Sequence, residues 1–191
     1  MNLRSTYDEL HSQAQWAYGE QPDAELAEVL AGFTAGRAVD LGGGQGRHAL
    51  YLASLGFDVE LVDLSEKALL QASTSAKERG LTLRTVRANI AFYEPPAGLD
   101  LVVAALMFQV PARHASLAAA KRLGAAMNPR ALLYLSFPGF DEKTRALAAG
   151  VLHAAGCEQS RVLRHVVTRQ ERPRLPVARR NETRAFGLKR G

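Results

Sequence analysis

Cysteine is nearly absent: Cys157 stands alone in 191 residues. A single thiol excludes an internal disulfide and a cysteine-built metal site, and no metal site is expected. Its neighbourhood, LHAAGCEQS, reads as a helix end running into a loop, where a buried, inert thiol is expected. No apolar run approaches the roughly 18–20 residues that a membrane span requires. The N-terminal stretch MNLRSTYDELHSQAQ lacks the basic start and apolar middle of a secretory leader, so a cytoplasmic protein without membrane partners is expected. Internal repeats and low-complexity tracts are missing too.

Charge is present but uneven. The chain carries 24 Lys/Arg against 19 Asp/Glu, a net of +5. Ten of those bases and only two acids lie between Arg161 and Gly191. The first 160 residues are left with fourteen bases and seventeen acids, so the body is mildly acidic and the basic character belongs to the C-terminus. Such a tail fits a solvated surface first, an anionic acceptor second and RNA third, because no aromatics interleave its arginines.

Periodicity and punctuation give the element order. PDAELAEVLAGF places Leu26, Val29, Leu30 and Phe33 on one helical stripe. RAVDL, DVELVD, LTLRTVRA, LDLVVAAL and RALLYLSF read as five strands separated by helices, several closed by Gly. This alternation predicts a doubly wound α/β sheet, mostly parallel and covered on both faces. SRVLRHVVTRQ and NETRAFGLKR then follow as two strands without a helix between them, which adds a terminal antiparallel hairpin. One domain is expected over 1–191. It divides into an N-terminal helical cap or lid (1–35), a ligand-binding core (36–137) and a C-terminal helix with the basic hairpin (138–191).

Within GRAVDLGGGQGRHALYLASLGFDVELVDLSEKA, Gly36 to Ala68, a strand, a glycine turn, a helix and a second strand end on an acid. Two nucleoside-binding patterns compete for this turn. The dinucleotide pattern G-x-G-x-x-G, begun at Gly42, puts Arg47 where the third glycine belongs; begun at Gly44, it puts Ala49 there. The pattern acid-x-G-x-G-x-G fits as Asp40, Gly42, Gly44 and Gly46, with Gly43 inside the turn. It resembles motif I of the class I methyltransferases that use S-adenosylmethionine (SAM).

That resemblance implies a role for each residue. SAM has no phosphates, and glycine lets the backbone pass close beside its sulfonium arm and ribose. Asp40 would hold the methionine amino group, directly or through water. Asp63 would accept the ribose hydroxyls, a position that dinucleotide enzymes share. Leu64 would lie beside the adenine edge. Asn89 and Ile90 would meet the base, Asn89 standing where many family members carry Asp. Met107, Phe108 and Gln109 would line the donor side, Phe108 either as a cation–π partner of the sulfonium or as a core aromatic.

The stretch GGGQGRHALYLASLGFDVELVDLS is similar to the tellurite-resistance type of small methyltransferase, whose turn reads Gly-Cys-Gly-Gln-Gly-Arg. Here Gly43 replaces the cysteine, a change expected to leave turn geometry untouched. WAYGEQPDAEL, Trp16 to Leu26, is similar to that group's lead-in. The resemblance covers residues 16–137 and implies a seven-stranded sheet. After the fourth strand ALMFQVPARH lacks the Asn-Pro-Pro-Tyr of base N-methylating enzymes. The expected reaction is methyl transfer to a small, soft or anionic acceptor (S, Se, Te or O). An RNA methyltransferase, a SAM-binding regulator without turnover and an NAD-dependent oxidoreductase are the alternatives. His114 is the candidate general base. Trp16 and Tyr18 belong to a segment that either closes over the acceptor as a lid or packs the N-terminal helix on the sheet. Oligomeric state is not readable.

Overall fold

The computed structural model describes residues 8–9, 16–108, 112–166 and 181–191. Gln109 and the connection 171–180 lie outside these residues. The described chain runs α1 (Ala24–Leu30), β1 (Arg37–Leu41), α2 (Arg47–Ser54), β2 (Asp58–Asp63), α3 (Glu66–Glu78), β3 (Arg84–Arg87) and β4 (Leu99–Ala105). It continues with α4 (Arg113–Ala126), β5 (Met127–Pro138), α5 (Glu142–Ala154), β6 (Cys157–Val166) and β7 (Asn181–Lys189).

The strands form one seven-stranded sheet in the order β3-β2-β1-β4-β5-β7-β6. The first five pair in parallel, and β7 lies antiparallel between β5 and β6. The order reverses between β1 and β4, so a crevice for ligands opens at the C-terminal strand ends there.

Burial on both faces follows from the composition of the strands. Along β4, Leu99, Leu101, Val102, Val103 and Ala104 are all fully buried, which a strand covered by helices on both sides requires. One face packs Val39, Leu133 and Phe137 under Ala119, Leu123, Val151 and Leu152 of α4 and α5. The other packs Val59, Leu61, Leu101 and Tyr134 under Leu26, Leu52, Leu69 and Ala72 of α1, α2 and α3.

Two sequence expectations shift. The third strand is only four residues, Arg84–Arg87, because Gly80 turns at φ 66° and the Leu81 N–H donates back to Ala76 O at 2.9 Å. That closure of α3 spends the residues before Arg84 on the connection. Cys157 opens β6 opposite Lys189 instead of sitting in a loop. Its thiol is buried, and burial pushes its pKa up to about 11, which keeps it protonated and inert.

Candidate functional site

The glycine turn joins the end of β1 to α2. Gly42, Gly44 and Gly46 stand at φ 69°, 56° and 84°, the left-handed region, so the three alternating glycines of the motif are those the backbone demands. The turn is tied to the neighbouring strand: Gly42 N donates to Val62 O at 2.7 Å and Gly44 N to Asp63 Oδ2 at 2.9 Å. A Cβ on Gly42 would lie 2.5 Å from Met107 Cγ, so Met107 from the end of β4 rests directly on the turn.

Gly43 is required for a different reason. A Cβ there would meet Asp40 Oδ2 and Leu61 Cδ1, both at 2.4 Å. The cysteine of the tellurite-resistance type therefore does not fit this turn without displacing Asp40, contrary to the expectation that the exchange is neutral.

Asp40 is completely buried. Its Oδ2 accepts the Ala49 N–H at 3.0 Å, capping the first turn of α2 from below, while its Oδ1 has no hydrogen-bond partner among the described residues. Burial, the largest influence, lifts its pKa to about 7 against the pull of Arg47. Asp63 is half-buried and takes Gly44 N on one oxygen and Ser65 N on the other, at 2.8 Å. A carboxylate offers about four lone-pair positions, so both oxygens can still accept from a ligand hydroxyl.

Leu64 and Ile90 are half-buried beside this end of the sheet, and Asn89 is exposed with its Oδ1 accepting from Ala91 N at 3.0 Å. Leu106, just before Met107, is held at φ 56°. A left-handed leucine costs about 1–2 kcal/mol, a strain of the kind found where backbone is bent to serve a site. Phe108 is buried in the core on the α4–α5 side, in the same cluster as Met107.

The segment that carries Trp16 and Tyr18 is tied to the turn through the Ala17 backbone and Gln45, while the Trp16 ring packs elsewhere. Trp16 lies beneath Arg79, its ring centroid 5.8 Å from the guanidinium carbon. Arg79 caps the far end of α3, roughly 20 Å along the helix from Ser65. Tyr18 is half-buried in the same segment, which Gln45 fastens by accepting from Ala17 N at 2.6 Å and donating to Gln71 at 2.9 Å. Asp8 also reaches the strand ends, accepting from Ser65 Oγ at 2.5 Å. His114 is exposed on the first turn of α4.

A buried ion cluster beside the turn was not legible in the sequence. Asp23, before α1, meets Arg47 at 2.7 Å and His48 at 3.5 Å and accepts from the Tyr134 hydroxyl at 2.8 Å. Burial first, then the Asp23 charge, raises the Tyr134 pKa and keeps that phenol a donor. Arg184 on β7 pairs with Glu25, with Glu182 at 3.4 Å and with Asp23 at 3.5 Å. Arg184 thus points into the protein, not onto the solvated tail surface where its sequence neighbourhood placed it. One signal was available: Glu182 and Arg184 share a strand face with apolar Phe186, which places that face in the core.

Residues 38–129 match the family model of a methyltransferase domain. These residues form a methyltransferase domain. The matched span runs from β1 through the glycine turn, Asp63 and Met107 into β5. Members of this family use S-adenosylmethionine as methyl donor.

Solved structures share the fold at low identity. TehB from Haemophilus influenzae superposes with a TM-score of 0.71 at 16% identity, covering 88% of this chain and 63% of that one. This chain therefore spans under two thirds of TehB. Magnesium protoporphyrin IX methyltransferase (ChlM) from Synechocystis PCC 6803, with bound SAM, gives 0.73 at 19% identity, covering 98% and 95%. The [4+2]-cyclase SpnF gives 0.72 at 15% identity, covering 98% and 95%. The same scaffold carries more than one chemistry, so the likeness speaks for fold and the site must speak for function. No curated protein matches the sequence.

The residues of this methyltransferase domain fit a SAM-shaped ligand. A buried carboxylate oxygen without a partner among the described residues suits a cationic amino group, and Asp63, with lone pairs to spare, suits a ribose.

Proposed function

We propose that the chain transfers a methyl group from SAM to a small acceptor bearing a soft or anionic atom. SAM supplies a methyl carbon on a cationic sulfur leaving group. Asp40 then orients the amino end of the donor, Asp63 its ribose and Met107 its sulfur side. Positioning supplies most of the catalysis, up to roughly 7–11 kcal/mol in ideal cases.

One observation carries the acceptor class. His48 is buried against Asp23, and His114 and His153 are exposed on α4 and α5, which favours an acceptor that needs no base. A thiolate, selenolate or oxyanion needs no base, whereas an alcohol or amine does. The RNA reading loses Arg184, which the ion cluster consumes.

Calorimetric titration with SAM, S-adenosylhomocysteine and NAD tests the donor. Both adenosyl ligands are expected to bind and NAD to give no heat. Asp63→Ala is expected to weaken adenosyl binding about a hundredfold, because bonds to a charged acceptor are worth roughly 1.5–3 kcal/mol each. Incubation with methyl-labelled SAM and a panel of thiols, selenols, carboxylates, amines and RNA tests the acceptor. Label found only in amines or RNA would overturn the acceptor class. His114→Ala is expected to change kcat/KM by less than about threefold. A loss of about 10²–10⁴-fold would instead make His114 the base.

A further inference from the structure

The chain leaves β3 by a bond from Ala88 N to Asp63 O at 3.1 Å. With ribose on Asp63 and the glycine turn on the β1 side, the base of a bound nucleoside extends toward β3. The loop 88–94 is what that base meets. Tyr93 anchors its far end by donating to buried Glu60, and one side chain of α4 grips its carbonyls. Arg122 on α4 donates from Nη2 to Ala91 O at 2.6 Å and to Ile90 O at 3.3 Å, and from Nε to Tyr93 O at 3.2 Å.

A trans peptide points its C=O and N–H in opposite directions. The peptides Ile90–Ala91 and Ala91–Phe92 turn their carbonyls to Arg122, so their N–H groups face away from it. Both of those N–H groups end on Asn89: Ala91 N donates to Asn89 Oδ1 at 3.0 Å and Phe92 N to Asn89 O at 2.9 Å. The guanidinium therefore holds Asn89 through two peptide planes without touching it, one plane ending on the side-chain Oδ1 and the other on the backbone carbonyl.

We propose that Arg122 is a positioning residue for adenine recognition, acting through Asn89. With Oδ1 held by Ala91 N–H, the amide keeps a second lone pair on Oδ1 and two donors on Nδ2. Held in one orientation, it presents an acceptor and a donor side by side. Adenine offers the matching pair, an amino donor next to a ring-nitrogen acceptor. Hypoxanthine carries a carbonyl in place of the amino group and loses the match. The inference rests on the reading of Asn89 as the residue that meets the base.

The test is titration with S-adenosylhomocysteine and its hypoxanthine analogue, S-inosylhomocysteine. The wild type is expected to prefer the adenine form at least about tenfold. Arg122→Ala is expected to bring the two within about threefold of each other, chiefly by weakening the adenine form. Arg122→Lys is expected to behave alike, because an ammonium cannot reproduce a planar fork over three carbonyls, and it serves if the alanine variant fails to fold. Glu94→Gln removes only the exposed ion pair to Arg122, at 3.4 Å, and is expected to keep the preference.

A merely structural role for Arg122 would weaken both ligands equally and leave their ratio intact, which overturns the proposal. Asn89→Ala separates the two layers. If it collapses the preference while both Arg122 variants keep it, Arg122 is not the positioning residue. If it leaves the preference intact, the reading of Asn89 falls.

Discussion

Arg184→Met is expected to destabilise the protein by about 3–5 kcal/mol, the range for removing one partner of a buried ion pair. Arg184 is fully buried, and burial pulls its pKa below the ordinary arginine value while the Asp23 charge pushes it back. Three carboxylates, Asp23, Glu25 and Glu182, lie against its guanidinium, and Asp23 also pairs with Arg47. Methionine fills much of the same volume, so packing loss is small and the charge term dominates. Urea denaturation would read the loss as a lower midpoint at unchanged slope. Arg161→Met, an exposed change on β6, is expected to stay within about 0.5 kcal/mol. The double variant Arg184→Met/Glu25→Met is expected to recover part of the loss, since it removes a charge of each sign. An Arg184→Met protein as stable as wild type would mean that the cluster relaxes or fills with water.

This cluster marks where the sequence stopped being informative. The glycine turn could be read because its chemistry is local: Asp40, the three alternating glycines and Asp63 lie within 24 residues in the order that the strands impose. The sheet could be read because apolar runs and glycine stops alternate. Asp23 and Tyr134 are 111 positions apart, and Glu25 and Arg184 are 159. Charged side chains in such positions look like ordinary surface until a strand face is assigned. Arg122 was less visible still, because its partners are backbone carbonyls, which every residue carries. His48 shows the same limit from the opposite side: its place in the helix after the turn was clear, but its partner, Asp23, sits in the segment before α1.

Asp40 gives the prediction in which stability and function oppose each other. Burial, the first cause, lifts its pKa in the folded protein to about 7, well above the ordinary carboxylate range. The folded protein therefore holds a proton that the unfolded chain releases. The stabilisation this provides is full below the unfolded pKa, declines as pH rises through the window between the two values and is lost above the folded one. A shift of this size corresponds to roughly 4 kcal/mol. Asp40→Asn, which keeps an acceptor for Ala49 N–H and cannot ionise, is expected to raise apo stability at pH 8 and leave it nearly unchanged at low pH. Donor binding should respond in the opposite sense. In the role proposed for it, an ionised Asp40 attracts the amino group of SAM, and a protonated one does not. Wild-type affinity should therefore fall about tenfold per pH unit below 7 as the carboxylate takes up its proton, while the profile of Asp40→Asn stays flat and weak. Calorimetry at several pH values in buffers of different ionisation heat would also register the proton released when SAM binds near pH 6. A variant that is more stable at pH 8 and binds SAM as tightly as wild type would show that the Asp40 charge serves neither the fold nor the ligand. If stability rises while binding weakens, the carboxylate is kept buried at a cost to folding because the donor's cation needs it.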